Sequence, residues 1–253
     1  LFGTIHVGRK DFFPLPEAVE AALKASAKLV VEADISDQSS LPNVTPLMTY
    51  TMPDTLEKNI PAPLFERVNA QAMRLKLPPQ ALRTLRPFMV GGLLSVTEFS
   101  RLGYDAQHGV DAYLIRHAKA AKKAVLELES VAGQIKLLAG MPGDLQIAFL
   151  DNTLATLESG QSGDQVIGAI NAWQSGDPML MQSVADSVSK GGRELQRLDE
   201  FLIHGRNVEM LKKIEGYLRE KDVHFVAVGS LHITGPRGLL VLLKEKGYEV
   251  TQK

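Results

Sequence analysis

Short apolar runs alternate with long helical patterns along this chain. Leu1 to Ile5 is apolar and too short for a helix. "PLPEAVEAALKASAK" then places Val19, Ala22, Leu23 and Ala27 on one helical face, with Pro16 near the start. "LVVEADI" follows as a β-branched run without alternation at its start, the pattern of a strand buried on both faces. Residues 1–35 therefore predict strand, helix, strand: a βαβ unit that calls for a parallel sheet.

From Ser36 to Leu64 the pattern changes, with five prolines among small polar residues. Helical periodicity runs from Pro63 to Arg101, broken at Pro78-Pro79 and at Pro87. "GVDAYLIRHAKAAKK" is an amphipathic helix with Ala112, Leu114, Ile115 and Ala118 as its stripe, and "AVLEL" is the next buried strand. Residues 134–220 are helical in pattern, "VHFVAVG" is a fourth strand, "GPRGLLVLLKEKG" a helix opened by proline, and "YEV" a short last strand. The expected fold is α/β: a small, mostly parallel central sheet flanked by helices, with strands near 1–5, 28–34, 123–128 and 223–229. One domain over 1–253 is expected, with helical insertions at about 36–105 and 134–221.

Composition narrows the function classes. The apolar fraction is 45%, the charged fraction 23% and the net charge −1, with Lys and Arg scattered. No electrostatic footprint for nucleic acid results, and no apolar run is long enough to span a bilayer. Cysteine is absent, which excludes disulfides, thiolate metal sites and cysteine nucleophiles. Because the chain opens inside a strand, a native segment is expected to precede Leu1, carrying any targeting signal.

Each expected strand runs into a polar residue that a core would not choose: His6, Glu32, Glu129 and His232. The two histidines close the same phrase, Gly-[Ser/Thr]-[Ile/Leu]-His, at opposite ends of the chain. In open α/β sheets, ligands sit beyond the carboxyl ends of the strands, so two imidazoles and two carboxylates are expected on one edge. Gly3 and Gly229 mark close backbone approach, and Thr4 or Ser230 would offer a hydroxyl there. Such a set suits a borderline divalent cation, Zn²⁺, Mn²⁺, Co²⁺ or Fe²⁺, which would activate water. Without an ion, a His and a Glu would activate water directly, and sequence leaves both versions open. His108, His117, His204 and His224 are expected outside the site. Met48, Tyr50, Met52, Phe88 and Met89 are expected to pack the helical layer or to line a groove for an extended chain, with Gly91-Gly92 and Gly191-Gly192 as its hinges.

"LFGTIHVG", "LVVEAD", "GVDAYLIRHAKAAKKAVLELES", Arg206-Asn207 and "VAVGSLHITGPRGLLVLLKEKGYEV" together resemble the TraB/PrgY/GumN family, the bacterial branch related to the TIKI metalloproteases within a wider erythromycin-esterase-like and ChaN-like group. The resemblance runs from Leu1 to Val250 and is thin between Ser36 and Gly103. It implies the two Gly-x-x-His histidines at His6 and His232, the strand-end glutamate at Glu32, a second at Glu129 with Gln134, an Arg-Asn pair at Arg206 and Asn207, and a Gly-x-Asp at Gly109 and Asp111. Its Arg-x-x-Pro-aromatic segment matches Arg83 or Arg86 with Pro87 and Phe88, while Ser130 stands where threonine is usual. The function implied is a metal-dependent, peptidase-like hydrolase acting on a peptide or small ester. Its expected metal ligands are His6, His232 and Glu32, and its catalytic residues Glu32, Glu129 and Arg206. Gly3, Gly229, Ser230, Asn207 and Asp111 are expected in support, with Mn²⁺ or Co²⁺ as the ion and Zn²⁺ as a further choice. Two alternatives stand beside it: a non-catalytic protein binding a peptide, metal or cofactor on the same scaffold, and a metal-independent His/Glu esterase-like hydrolase. The resemblance also implies an exported or periplasmic protein.

Overall fold

Strands β1 (Phe2–Thr4), β2 (Lys28–Val31), β3 (Ala124–Glu127) and β4 (His224–Gly229) form one parallel sheet in the order β1-β4-β2-β3. The structure, a computed structural model, describes residues 1–189 and 192–253. Its helices are α1 (Glu17–Ala25), α2 (Leu41–Met48), α3 (Leu56–Asn59), α4 (Ala62–Arg74), α5 (Pro79–Leu82), α6 (Pro87–Arg101), α7 (Val110–Ala120) and α8 (Val131–Ala139). They continue with α9 (Gly143–Glu158), α10 (Ser162–Ser175), α11 (Pro178–Ser189), α12 (Arg193–Asp199), α13 (Gly205–Leu218), α14 (Ser230–Ile233) and α15 (Leu239–Glu245).

Alternation along the central strands divides the core. Leu29, Val31, Phe225 and Ala227 point to one face, where they pack on Leu23 of α1 and on Val110, Leu114 and Ile115 of α7. Val30, Val226 and Val228 point to the other, against Met210, Leu211 and Ile214 of α13 and Leu239 and Leu243 of α15. Both central strands are covered on both faces, hence their unbroken aliphatic runs. Burying Leu29 completely contributes about 2 kcal/mol. A separate apolar cluster joins the helices that follow β2 and β3: Leu56, Leu64, Val68, Leu82, Val90 and Leu94 meet Leu150 and Leu154 of α9.

Register is what positions the site. Thr4 lies opposite Gly229, and Val31 opposite both Ala227 and Glu127. All four strands thus end nearly level, and the residues that follow them emerge on one edge.

Several expectations are corrected. "YEV" forms no strand; Tyr248 and Val250 pack as loop side chains on the α13–α15 face. β3 is an edge strand, exposed at Ala124 and half-buried beyond it, because no strand pairs with its outer side. Pro236 lies in a turn and not at the start of α15, whose N-cap is Gly238. Ala22 and Ala27 are exposed, leaving Leu23 and half-buried Val19 to anchor α1. Gly91 and Gly92 lie inside α6, where a Cβ on Gly91 would stand 2.7 Å from the Phe149 ring, so Gly91 permits α6 and α9 to pack closely and is no hinge. Gly191 falls outside the described residues, and Gly192 caps α12 at φ 110.

Candidate functional site

His6 lies two residues past β1 with its ring at the strand-end edge, its side chain 69% exposed. Its Nδ1–H donates to Asp111 Oδ2 at 2.8 Å, and the Thr4 hydroxyl donates to Oδ1 of the same carboxylate at 2.6 Å. Asp111 stands in the first turn of α7, whose Val110 N–H donates to Ile5 O at 2.9 Å. That approach is tight: a Cβ on Gly109 would lie 2.4 Å from His6 O, so only glycine fits there.

His232 sits on α14, the short helix that β4 runs into, and is buried. Its Nδ1–H donates to Asn207 Oδ1 at 2.6 Å. Asn207 is fully buried, and its amide is oriented by donating Nδ2–H to Arg237 O at 2.9 Å. Both imidazoles therefore use Nδ1 for a fixed partner and present Nε2 to the cleft.

Glu32, one residue past β2, is 6% exposed. Its Oε1 accepts the Gly229 N–H at 2.5 Å and stands 3.9 Å from His232 Nε2. Its Oε2 accepts from Arg206 Nη2 at 2.7 Å and from Gln134 Nε2 at 3.3 Å. Glu129 takes Arg206 side-on, with Nε at 2.9 Å and Nη2 at 2.6 Å, and Gln134 bonds it as well at 3.0 Å. Arg206 Nη1 donates to Leu202 O at 2.8 Å. That carbonyl lies in a π-helical stretch, Glu200–His204, which runs into α13. Such wider turns are common at functional sites, and no residue type in this one signals it from sequence.

Gly229 is the centre of the arrangement. A Cβ there would meet Glu32 Oε1 at 3.0 Å, His6 Nε2 at 3.4 Å and His232 Cδ2 at 3.7 Å. Gly3 allows another close approach, its Cβ position being 3.2 Å from Ser230 Oγ. The two expected hydroxyls are turned away from the cleft: Thr4 serves Asp111, and Ser230 Oγ donates to Thr4 O at 2.7 Å. A nucleophilic Ser230 beside His232 is therefore not what the fold builds.

Charge follows from this packing. Burial works to lower the His6 pKa, but the Asp111 hydrogen bond and charge, with Glu32, outweigh it and raise it to about 9. Burial drives His232 down to about 4, so it is neutral near pH 7. Burial also opposes the Glu32 carboxylate; His232, His6, Arg206 and the Gly229 N–H overcome this and hold its carboxyl below the usual range. Since His232 is itself neutral, Arg206, His6 and Gly229 do that work at neutral pH.

The donors fit a divalent ion in type, two imidazoles and a carboxylate. Two imidazoles with Nδ1 held by a carboxylate and an amide oxygen, and Nε2 left toward the cleft, are the arrangement metal-ligating histidines show. Glu32 supplies an oxygen to the same space. Among the described residues, however, no three His, Asp or Glu side chains are gathered closely enough to close around an ion. Glu32 is drawn instead to Arg206 and Gly229.

The remaining histidines stay apart: His108 pairs with Asp105, His117 with Tyr113 O, His204 with Asp199, and His224 stacks on Tyr217. The residues expected either to pack the helical layer or to line a groove differ in burial. Phe88 is buried at 3% exposure and Met52 projects at 67%, while Tyr50 is half-buried against Arg86.

The TraB/PrgY/gumN family model matches residues 1–252. YbaP of Escherichia coli (strain K12), an uncharacterized protein, is 28% identical over 96% of this chain and 87% of its own length. The "Metalloprotease TIKI homolog" of Amphimedon queenslandica is 23% identical over 100% of this chain and 59% of its own. "Metalloprotease TIKI1" of Danio rerio is 21% identical over 99% of this chain and 60% of its own. No solved structure matches the chain. Because the family match runs from before β1 to the penultimate residue, this chain belongs to the TraB/PrgY/gumN family.

Proposed function

We propose that this chain is a hydrolase that activates water at the strand ends for attack on the carbonyl of a peptide or small ester. The observation that carries this is the disposition of His6, His232 and Glu32 around Gly229, with both Nδ1 atoms held and both Nε2 atoms facing inward. The similarity to proteins named metalloproteases supports a divalent ion; in this reading His6, His232 and Glu32 hold it, and it is Mn²⁺ or Co²⁺, with Zn²⁺ as a further choice. When bound, such an ion lowers the pKa of water and polarises a carbonyl.

The chain's own groups have separable tasks. Asp111 and Asn207 fix the imidazole planes. Neutral His232 and ionised Glu32 both accept protons near pH 7, and the 3.9 Å between them is bridged by a water more readily than by a direct bond. Arg206 touches both carboxylates and keeps Glu32 charged and in place, while Glu129 anchors Arg206. Every nitrogen of Arg206 already has a partner, so it acts first as a positioning residue and reaches an oxyanion only with a hydrogen not used in those bonds.

A second reading has its own observation. With its pKa raised, His6 carries a proton near pH 7 and acts as general acid, His232 as base, and no ion is needed. One experiment separates these. Metal content of the purified protein is measured by mass spectrometry, and peptide-library and ester hydrolysis is followed with and without chelator. Bound metal and chelator-sensitive turnover, both lost in His232→Ala, support the metallohydrolase; turnover indifferent to chelator supports the metal-free route. Metal binding without turnover of any peptide or ester makes this a binding protein and ends the hydrolase proposal.

A further inference from the structure

Away from the strand-end cluster, a cavity of about 300 Å³ lies where α6, α8 and α9 come together, lined by Tyr50, Asn59, Arg86, Ala139, Gly143 and Gln146 among others. That volume is at the small end of ligand clefts, about 300–1,000 Å³, and suits a small acid rather than a nucleotide. Ala139 is five residues along α8 from Gln134, so this wall stands about 7.5 Å along the helix from a side chain that bonds Glu32 and Glu129.

Arg86 is the residue without an explanation. Its Nε is buried and has no hydrogen-bond partner, and no described carboxylate pairs with its guanidinium. Its contact is the Tyr50 ring, whose centroid lies 5.3 Å from Cζ. Nearby arginines of the helical layer are paired: Arg67 with Asp151 and Glu158, Arg74 and Arg101 with Glu98. A buried donor on a fixed charge is costly when unmet, yet here the backbone holds it still. Thr49 and Leu85 form an antiparallel bridge, Tyr50 N–H donates to Thr84 O at 2.6 Å, and Arg86 N–H donates to Met48 O at 2.9 Å. Tyr50 and Arg86 thus face each other from a short two-strand clasp.

The surroundings favour negative charge. Arg86 is the N-cap of the fifteen-residue α6, and Gly143 is the first residue of the sixteen-residue α9, so two positive helix ends meet the cavity, against one negative end, that of the nine-residue α8 at Ala139. The Cβ position of Gly143 opens onto free space. The lining amides add little: Asn59 Nδ2 already donates to Asp54 and Thr55 O, and Gln146 Nε2 to Met141 O. Asp54, whose charge also reaches Tyr50, is held by Asn59 and by the Thr55 N–H and forms no ion pair with Arg86.

We propose that this cavity binds a carboxylate group on the Arg86 guanidinium, with the Tyr50 ring fixing the guanidinium plane. A planar acid matches the two-pronged donor geometry of arginine. The acid is either a carboxylate of the hydrolase's own substrate or a separate small acid; the first source alone rests on the hydrolase proposal.

The test uses the full chain labelled with ¹⁵N. The Arg86 Nε–H resonance, assigned by its loss in Arg86→Lys, is followed during titration with acetate and N-acetylglycine at constant ionic strength, with acetamide as neutral control. A saturable shift with the acids and none with acetamide is expected, weakened at least tenfold in Arg86→Gln as read from the Phe88 amide. No saturable shift in the wild-type protein, or an equal shift with acetamide, overturns the site whatever the variants do. A kinetic arm compares substrates with a free and an amidated terminal carboxylate. A KM at least tenfold higher for the amide, with the difference abolished in Arg86→Gln, assigns the carboxylate to the substrate. Equal KM values with acid binding retained assign it to a separate ligand.

Discussion

Asn207 Oδ1 lies 2.6 Å from His232 Nδ1, joining α13 to the helix at the end of β4 across a fully buried amide. The bond decides which ring nitrogen carries the proton, and so which one faces Glu32. Replacing Asn207 with alanine removes the acceptor and frees the ring. Loss of such an outer partner costs about 10–100-fold in metal affinity or activity. Asn207→Asp keeps the shape and adds a negative charge, so the His232 pKa rises from about 4. The acidic limb of kcat/KM then moves to higher pH, because the base must be neutral. Histidine NMR titration of both proteins measures the shift; an unmoved His232 midpoint in Asn207→Asp would refute this account of the bond.

Gly229→Ala tests the centre of the site. The backbone there, φ −51 and ψ 136, suits alanine, so the added methyl acts through space. It would press on Glu32 Oε1 at 3.0 Å and His6 Nε2 at 3.4 Å. Overpacking of this kind costs about 1–3 kcal/mol, and the expected functional loss is larger, about 100-fold or more, because an angstrom of misplacement has that effect. Thermal unfolding beside hydrolysis rates checks it. Unchanged turnover with the methyl in place would remove Gly229 from the site.

Glu98 predicts how acid unfolds the helical layer. It is 1% exposed and holds Arg101 at 2.8 and 2.9 Å, Arg74 at 3.1 Å and the Ser162 hydroxyl at 2.9 Å. The Arg101 hydrogen bonds lead the effect; burial opposes it, Ser162 and Arg74 add to it, and the pKa falls from 4.5 to about 2. A carboxyl whose folded pKa is depressed stabilises the fold above its unfolded pKa. That stabilisation is lost as pH falls from 4.5 toward about 2. Glu98→Gln should cost about 3 kcal/mol near neutrality and flatten the acid limb of stability. Urea midpoints for both proteins at about pH 3 and about pH 7 give the comparison; equal losses on acidification would refute it.

How much of this was legible in sequence follows from the range of each signal. β2 and β4 are unbroken aliphatic runs because both faces are covered, and that pattern is local. Parallel register is not local, yet His6, Glu32, Glu129 and His232 were readable because each lies within three residues of the end of its strand. The repeated Gly-x-x-His phrase carried the rest: only glycine at 229 leaves room for Glu32 and His6. Sequence could not show that Glu32 turns to Arg206, since the two are 174 positions apart and the π-helical stretch whose Leu202 carbonyl takes Arg206 Nη1 reads as ordinary helix. Nor could it place Phe88 in the core while leaving Tyr50 against Arg86, because the clasp of Thr49 on Leu85 spans the two segments. "YEV" has β-forming residues, but no strand edge is offered to it where it packs on α13 and α15.

Gly91 and Gly92 make a final, internally controlled prediction. Adjacent glycines in a helix suggest a hinge, and a hinge predicts that alanine at either position stiffens the protein and changes turnover. The packing of α6 on α9 predicts something else. A methyl on Gly91 would lie 2.7 Å from Phe149 Cε1 and 3.0 Å from Cδ1, inside van der Waals contact, so ring or helix must shift. Gly91→Ala should therefore destabilise by about 1–3 kcal/mol. At Gly92 a methyl meets nothing within 4 Å, and alanine there gains helix propensity of about 0.5–1 kcal/mol. Two neighbouring substitutions of the same chemistry should thus move the melting temperature in opposite directions. Gly91→Ala with a smaller partner, Phe149→Leu, should recover part of the loss, because the ring edge is what the methyl strikes. Melting temperatures that fall together, or a turnover change without a stability change, would restore the hinge.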